Sequence, residues 1–194
     1  MLNKIQDRFS ESIQTQISAA ELLPTKLSEA ANRIVACLLR GDKVIVCGHG
    51  RSYGNAALLV SHLLHRYELA RPSFSAVQLQ LNGILAGVFS QDNELDSVYK
   101  KQLQAVAKAG DLFIVFSPIG NEESILQAIH TAKNHHLDLD IIALTGSSND
   151  HTLGLLDESD IEISAPSTNE LRVIESHHFY TNLLCELIDH LLFS

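Results

Sequence analysis

No run of apolar residues in this chain reaches the ~18 needed to cross a bilayer as a helix. Its opening stretch, Met1-Leu2-Asn3-Lys4-Ile5-Gln6-Asp7, is mixed in charge and carries no apolar signal-peptide core. Both absences predict a cytoplasmic protein without membrane attachment. Cysteine is scarce. Cys37, Cys47 and Cys185 are odd in number and sit in apolar stretches, which argues against a disulfide framework and predicts buried small hydrophobes. No pattern supplies any of them with a base or an electropositive niche, so none reads as a nucleophile. Basic runs are missing and the formal net charge is −9. That disfavours a direct grip on nucleic acid, because neutralising phosphates requires clustered Lys and Arg. An acidic chain still reaches DNA through a protein partner. There is also no low-complexity tract, internal repeat or long linker.

What is present suits one sizeable domain: 194 residues, 45% of them hydrophobic. Ile5, Phe9, Ile13 and Ile17 recur every fourth residue, one apolar stripe on a helix that Leu2, Ala20 and Leu23 widen and Pro24 ends. Leu27, Ala30, Ala31, Ile34, Val35, Leu38 and Leu39 mark a second helix, with Gly41 placed at its C-terminal cap. Then the period changes. Lys43 to Cys47, Phe74 to Leu79, Leu112 to Phe116, Asp140 to Leu144 and Ile161 to Ser164 are short continuous apolar runs, as expected for strands buried on both faces. Helical stretches separate them, roughly Ser52 to Tyr67, Glu94 to Lys108 and Asn121 to His136, and a last helix covers Asn169 to Phe193. Strand–helix alternation predicts an α/β fold, a three-layer αβα sandwich on a five-stranded parallel sheet. N-terminal helices over residues 1–40 are expected to serve oligomer packing, with residues 41–194 forming the sheet domain. Leu22, Leu23 and Leu27 have the alternative of packing the first helix on its own domain.

The first strand runs into Gly48-His49-Gly50-Arg51-Ser52 and a helix. Glycines beyond a parallel strand let backbone N–H groups approach an anion, and a helix N-terminus favours negative charge. Ser52 is placed to donate its hydroxyl or cap the helix. A dinucleotide motif is not met: the next glycine, Gly54, is one place late, and the second strand ends in Gln78-Leu79-Gln80 without an acid. A Walker lysine is missing too. The third strand ends in Phe116-Ser117-Pro118-Ile119-Gly120-Asn121-Glu122-Glu123-Ser124, a second polar loop before a helix. Two such loops side by side would make one anion pocket; tight turns without a ligand are the alternative.

Other polar groups read as structural. His62 and His65, at i and i+3, would share a helical face, but no Cys or carboxylate joins them at ligand spacing, so no metal is expected. Adjacent His177 and His178 point to different faces, so one is packed or lines the pocket. His135-His136 suits a solvated helix end. Asp92-Asn93 looks like a turn before an acidic helix start at Glu94, rather than half of an acid–base pair.

Over its whole length the chain resembles the sugar isomerase (SIS) family. The match is nearest to the branch of DnaA initiator-associating proteins, with the sedoheptulose-7-phosphate isomerases as relatives. The isomerases carry C-G-N-G-G-S where this chain has Cys47-Gly48-His49-Gly50-Arg51-Ser52, and S-T-S-G-N-S where it has Ser117-Pro118-Ile119-Gly120-Asn121-Glu122. Shared landmarks are Arg66-Tyr67 with Arg71-Pro72, Gln91-Asp92 ahead of Val98-Tyr99, Ala109-Gly110-Asp111, and Ala143-Leu144-Thr145-Gly146. The resemblance implies a phosphosugar pocket at His49, Gly50, Arg51, Ser52, Gln91, Asp92, Ser117, Gly120 and Asn121, here vestigial. Only Ser117 is left of three loop serines, and a carboxylate at Glu122 would repel a phosphate dianion.

Isomerisation moves protons between adjacent carbons and needs placed acid and base groups. The family's metal and acid–base positions fall on Leu58, His62, Ile174 and Asn182 here, and leucine and isoleucine do neither job. The DnaA-associating branch matches Phe9 to Glu21 and Asn182 to Phe193. It implies a homotetramer that binds several DnaA molecules, with contacts carried over onto Leu192 and Phe193, whose alternative role is to finish the packing stripe of the last helix. The expectation is therefore a non-catalytic DnaA-binding protein without cofactor that promotes initiator assembly at the origin. The alternatives are a phosphosugar isomerase or a phosphosugar-binding regulator.

Overall fold

The computed structural model describes residues 1–134, 136–148 and 150–193. Two helices lead, α1 (Leu2–Leu22) and α2 (Pro24–Leu39). Then follow β1 (Val44–Gly48), α3 (Tyr53–Leu64), β2 (Ala76–Gln78), α4 (Gly83–Gln91), α5 (Val98–Val106), β3 (Leu112–Ser117) and α6 (Glu123–Ala132). The chain closes with β4 (Asp140–Gly146), α7 (Asp150–Leu153), β5 (Ile161–Ala165) and α8 (Glu170–Phe193). The five strands are all parallel, in the order β2-β1-β3-β4-β5.

Alternate strand residues feed two cores. Val44, Val46, Ile114, Phe116, Leu144 and Ile163 face a cluster with α2, α3 and α8. Ile45, Cys47, Phe113, Val115, Ile141 and Ala143 face one with α5 and α6. Burial on both faces explains why each strand reads as an unbroken apolar run. The three cysteines are buried and unpaired, and desolvation pushes the Cys37 thiol up to about 11 and the Cys185 thiol to about 12.

Several helix limits differ from the sequence expectation. The helix expected to reach Tyr67 stops at Leu64, and the one expected to reach His136 stops at Ala132, where Asn134 and Asp138 turn the chain into β4. His135 lies outside the described residues. The helix expected from Glu94 begins only at Val98, after a short 3-10 turn. α4 is a helix that periodicity misses. Its segment, Gly-Ile-Leu-Ala-Gly-Val-Phe-Ser-Gln, has no buried residue and no polar face, and Asn82 starts it by accepting the Leu85 N–H at 3.0 Å. The Asp92-Asn93 turn is present, with Asn93 at φ +55. Gly41, at φ +80, follows α2 as its left-handed cap.

The stripe on α1 does not pack on its own domain: Ile5, Phe9, Ile13 and Ile17 are all exposed, Phe9 at 67%. Leu23 and Leu27 are buried whereas Leu22 is exposed. Polar bridges hold α1 to α8, Ser12 Oγ donating to Glu175 and Asn169 Nδ2 to Glu11. The division at residue 40 falls between α2 and β1, and the first core runs across it.

Candidate functional site

From β1 the chain turns to β2 on one side, and β3 pairs on the other. The C-terminal ends of β1 and β3 are therefore the sheet's topological switch point, where open α/β sheets place ligands. Both polar loops lie there. In the first, a Cβ on Gly48 would stand 2.6 Å from the Ser52 carbonyl oxygen, so the turn closes only over glycine, and Gly50 takes φ +53. Tyr99 Oη donates to the Gly48 carbonyl at 2.8 Å from within the core. The loops are joined directly: His49 N–H donates to Phe116 O at 3.2 Å, and His49 Nδ1 lies 3.1 Å from Ser124 Oγ.

The second loop folds around an acid. Glu122 is buried, and its carboxylate accepts from Ser117 Oγ, from Ile119 N–H at 3.1 Å and from Gly120 N–H at 3.0 Å. Gly120 stands at φ +86, and its carbonyl accepts from both the Thr152 hydroxyl and the Thr152 N–H. The Glu122 carboxylate already occupies the loop's donors, beyond the repulsion of an anion expected of it. Tyr99, Ser124 and Thr152 complete the site. Tyr99 carried a signal in the landmark Val98-Tyr99 and Ser124 in the second polar loop; Thr152 carried none.

The remaining expected pocket residues divide. His49, Gly50, Ser117 and Gly120 meet at the switch point. Ser52 does not cap α3: its own backbone is helical, and its Oγ is buried without a partner among the described residues. Arg51 is exposed and reaches toward Glu170, 3.7 Å away, not toward Glu122. Asn121 is exposed. Gln91 and Asp92 lie exposed at the end of α4, outside the hydrogen-bond network that joins the loops.

Leu58 and His62 occupy successive turns of α3, which packs on α8, where Ile174 and Asn182 lie two turns apart. Asn55 Nδ2 donates to Ile174 O at 3.0 Å across this contact. His62 stacks edge-on against Tyr67. The expected His62–His65 face does not form, because α3 ends at Leu64 and His65 has left helical dihedrals. Among the described residues no group of three His, Cys, Asp or Glu side chains is placed to hold a metal ion. His177 is fully buried and His178 exposed, as their adjacency implied. His177 Nε2–H donates to Thr145 O at 2.9 Å, and desolvation holds its pKa down at about 4. No helix among the described residues is long and apolar enough to cross a membrane.

At the tail, α8 runs to Phe193, the last described residue. Leu192 packs against the first core while Phe193 is 49% exposed. The pair is split between core and surface.

The model of the SIS domain matches residues 8–146. The chain is 45% identical over 193 residues to an uncharacterized protein of Haemophilus influenzae, covering 100% of this chain and 98% of that one. It is 41% identical to the DnaA initiator-associating protein DiaA of Yersinia enterocolitica, covering 100% of this chain and 97% of the relative. Among solved structures, a phosphoheptose isomerase from Francisella tularensis superposes with a TM-score of 0.91 at 33% identity, covering 97% of this chain and 98% of the isomerase. With two strand–loop–helix units meeting at the switch point, and likeness to these proteins from end to end, the chain belongs to the SIS domain family.

Proposed function

We propose that this chain is a non-catalytic SIS protein that binds the replication initiator DnaA as a homotetramer and promotes initiator assembly at the chromosomal origin. The observation that carries this reading is full-length similarity, at 41% identity, to a relative named for DnaA association. The chemistry of the old catalytic positions agrees with it. Leu58 and Ile174 have no atom that ligates a metal or carries a proton, and His62 and Asn182 make no set by themselves.

Residues 1–40 would supply oligomer packing. Their exposed stripe adjoins an apolar groove of about 470 Å³ lined by α1, α2 and α8, including Leu27, Phe179, Leu183 and Leu187. Exposed apolar surface of this extent suits burial against another copy. Four copies would present four α8 ends, and linked sites gain avidity by raising local DnaA concentration. Phe193, half-exposed, would be the contact, and Leu192 beneath it the support. Truncating such an aromatic anchor costs binding at the ~tenfold level or more. The Leu192→Ala, Phe193→Ala double variant is therefore expected to lose DnaA in a pull-down while keeping its sedimentation as a tetramer. Undiminished capture would remove the site assignment.

A second reading, a phosphosugar isomerase or phosphosugar-binding regulator, is favoured by the likeness to the Francisella isomerase. The purified protein is expected to give no turnover of sedoheptulose 7-phosphate. Measurable conversion in a coupled assay would replace the first reading with the second.

A further inference from the structure

We propose that Glu122 is a built-in anion that closes the switch-point cradle to phosphoryl ligands. Three donors converge on its carboxylate. Ile119 N–H reaches one oxygen, and Gly120 N–H and Ser117 Oγ reach the other. Consecutive backbone N–H groups and a hydroxyl, beyond a parallel strand and before the ten-residue helix α6, make an arrangement that accommodates tetrahedral oxyanions. Here the chain fills it with its own oxygens.

The ordinary role of an acid at this position is excluded by the geometry. Glu122 is the N-cap residue of α6, where a side chain would accept from the first helical N–H groups, yet it makes no such bond. The carboxylate turns back into the loop that precedes it. The donors are also held in place independently of it. The hydroxyl and N–H of Thr152 both grip the Gly120 carbonyl, at 2.9 and 3.1 Å, which anchors the turn that carries the Gly120 amide. No ion pair joins Glu122 to a cation among the described residues, and Arg51 is turned to Glu170. Its two oxygens are instead satisfied by these three hydrogen bonds, of the kind that a carboxylate acceptor makes strong. A phosphate oxygen seeking the same donors would meet a like charge at contact distance in surroundings that screen less than water.

Removing the carboxylate should therefore open an anion site. Inorganic phosphate is the probe, titrated into the full-length protein while the amide resonances of Ile119 and Gly120 are followed by NMR. The unsubstituted protein is expected to show no saturable shift at either amide. Glu122→Ser is expected to bind phosphate at least tenfold more tightly, and adding Ser117→Ala should abolish the gain. Glu122→Gln, of the same size but neutral, keeps the test open if Glu122→Ser fails to fold; it too should gain affinity. Saturable phosphate binding at these amides in the unsubstituted protein would overturn the proposal. So would a folded Glu122 variant that binds phosphate no better. DnaA capture by the same samples reports separately on the association reading, which this inference does not require.

Discussion

Asp189→Ala is expected to lower the free energy of unfolding by about 3–5 kcal/mol, the cost of leaving a buried cation without its partner. The Arg71 and Asp189 side chains are 1% and 5% exposed, with Arg71 Nε 2.9 Å from Asp189 Oδ1. The guanidinium has no escape to water. Its other nitrogens donate to the carbonyls of Leu63, Pro72 and His62, the last at 2.7 Å, and its Cζ lies 4.0 Å from the centre of the Phe74 ring. Arg71 thus ties the end of α3 to α8 one turn before Leu192. Urea unfolding measures the loss. A drop under about 1 kcal/mol would mean that water replaces the carboxylate. The pair itself need not stabilise the fold. Arg71→Met combined with Asp189→Leu is expected to come within about 1 kcal/mol of the starting protein, because no buried charge is then stranded.

Stability is expected to fall by about 3 kcal/mol on account of one residue, His177, between pH 6.5 and pH 4. Burial depresses its pKa from 6.5 to about 4. Within that window the unfolded chain takes up a proton that the folded chain refuses, so acid favours unfolding. Above it both states are neutral, and below it both are charged, so the effect is confined to the window. The surroundings explain the refusal. Nε2–H is committed to the Thr145 carbonyl, Nδ1 is buried with no partner among the described residues, and the rings of Phe116 and Tyr180 stand 5.8 and 6.3 Å away. No carboxylate is among these neighbours to receive an imidazolium. Urea unfolding of the parent and of His177→Leu at pH 7 and pH 4.5 separates this from the carboxylates. The variant should lose distinctly less stability on acidification, and equal losses would assign the acid sensitivity elsewhere.

Much of the fold was legible because the sheet is buried on both sides. Five β-branched runs gave five strands, with limits moved by one or two residues. α4 was not legible, since apolar residues lie all round it and the half-buried pair Leu85 and Phe89 does not stand out as a stripe. Several family landmarks turned out to be structural tethers. Asp111 binds the N–H groups of Lys43 and Lys108, and Gly146 has room for no Cβ, which would stand 2.8 Å from Pro118 O. Arg71 is the buried ion-pair cation, and Tyr99 braces the first glycine turn. Of the pocket residues, those fixed by strand ends came together, whereas Gln91 and Asp92, carried on α4, did not join them.

The sequence alone determined the architecture and the position of the two switch-point loops. Apolar runs record which surfaces are buried, and glycines after a strand record where the chain must turn tightly. Only the tertiary structure decided which polar groups meet. His49 with Ser124, Tyr99 with Gly48, and Arg71 with Asp189 are far apart in the chain and share no periodic signal. The same holds for the direction of Glu122. At an N-cap an acid faces either its helix or the loop behind it, and the turn at Gly120, held by Thr152, selects the loop.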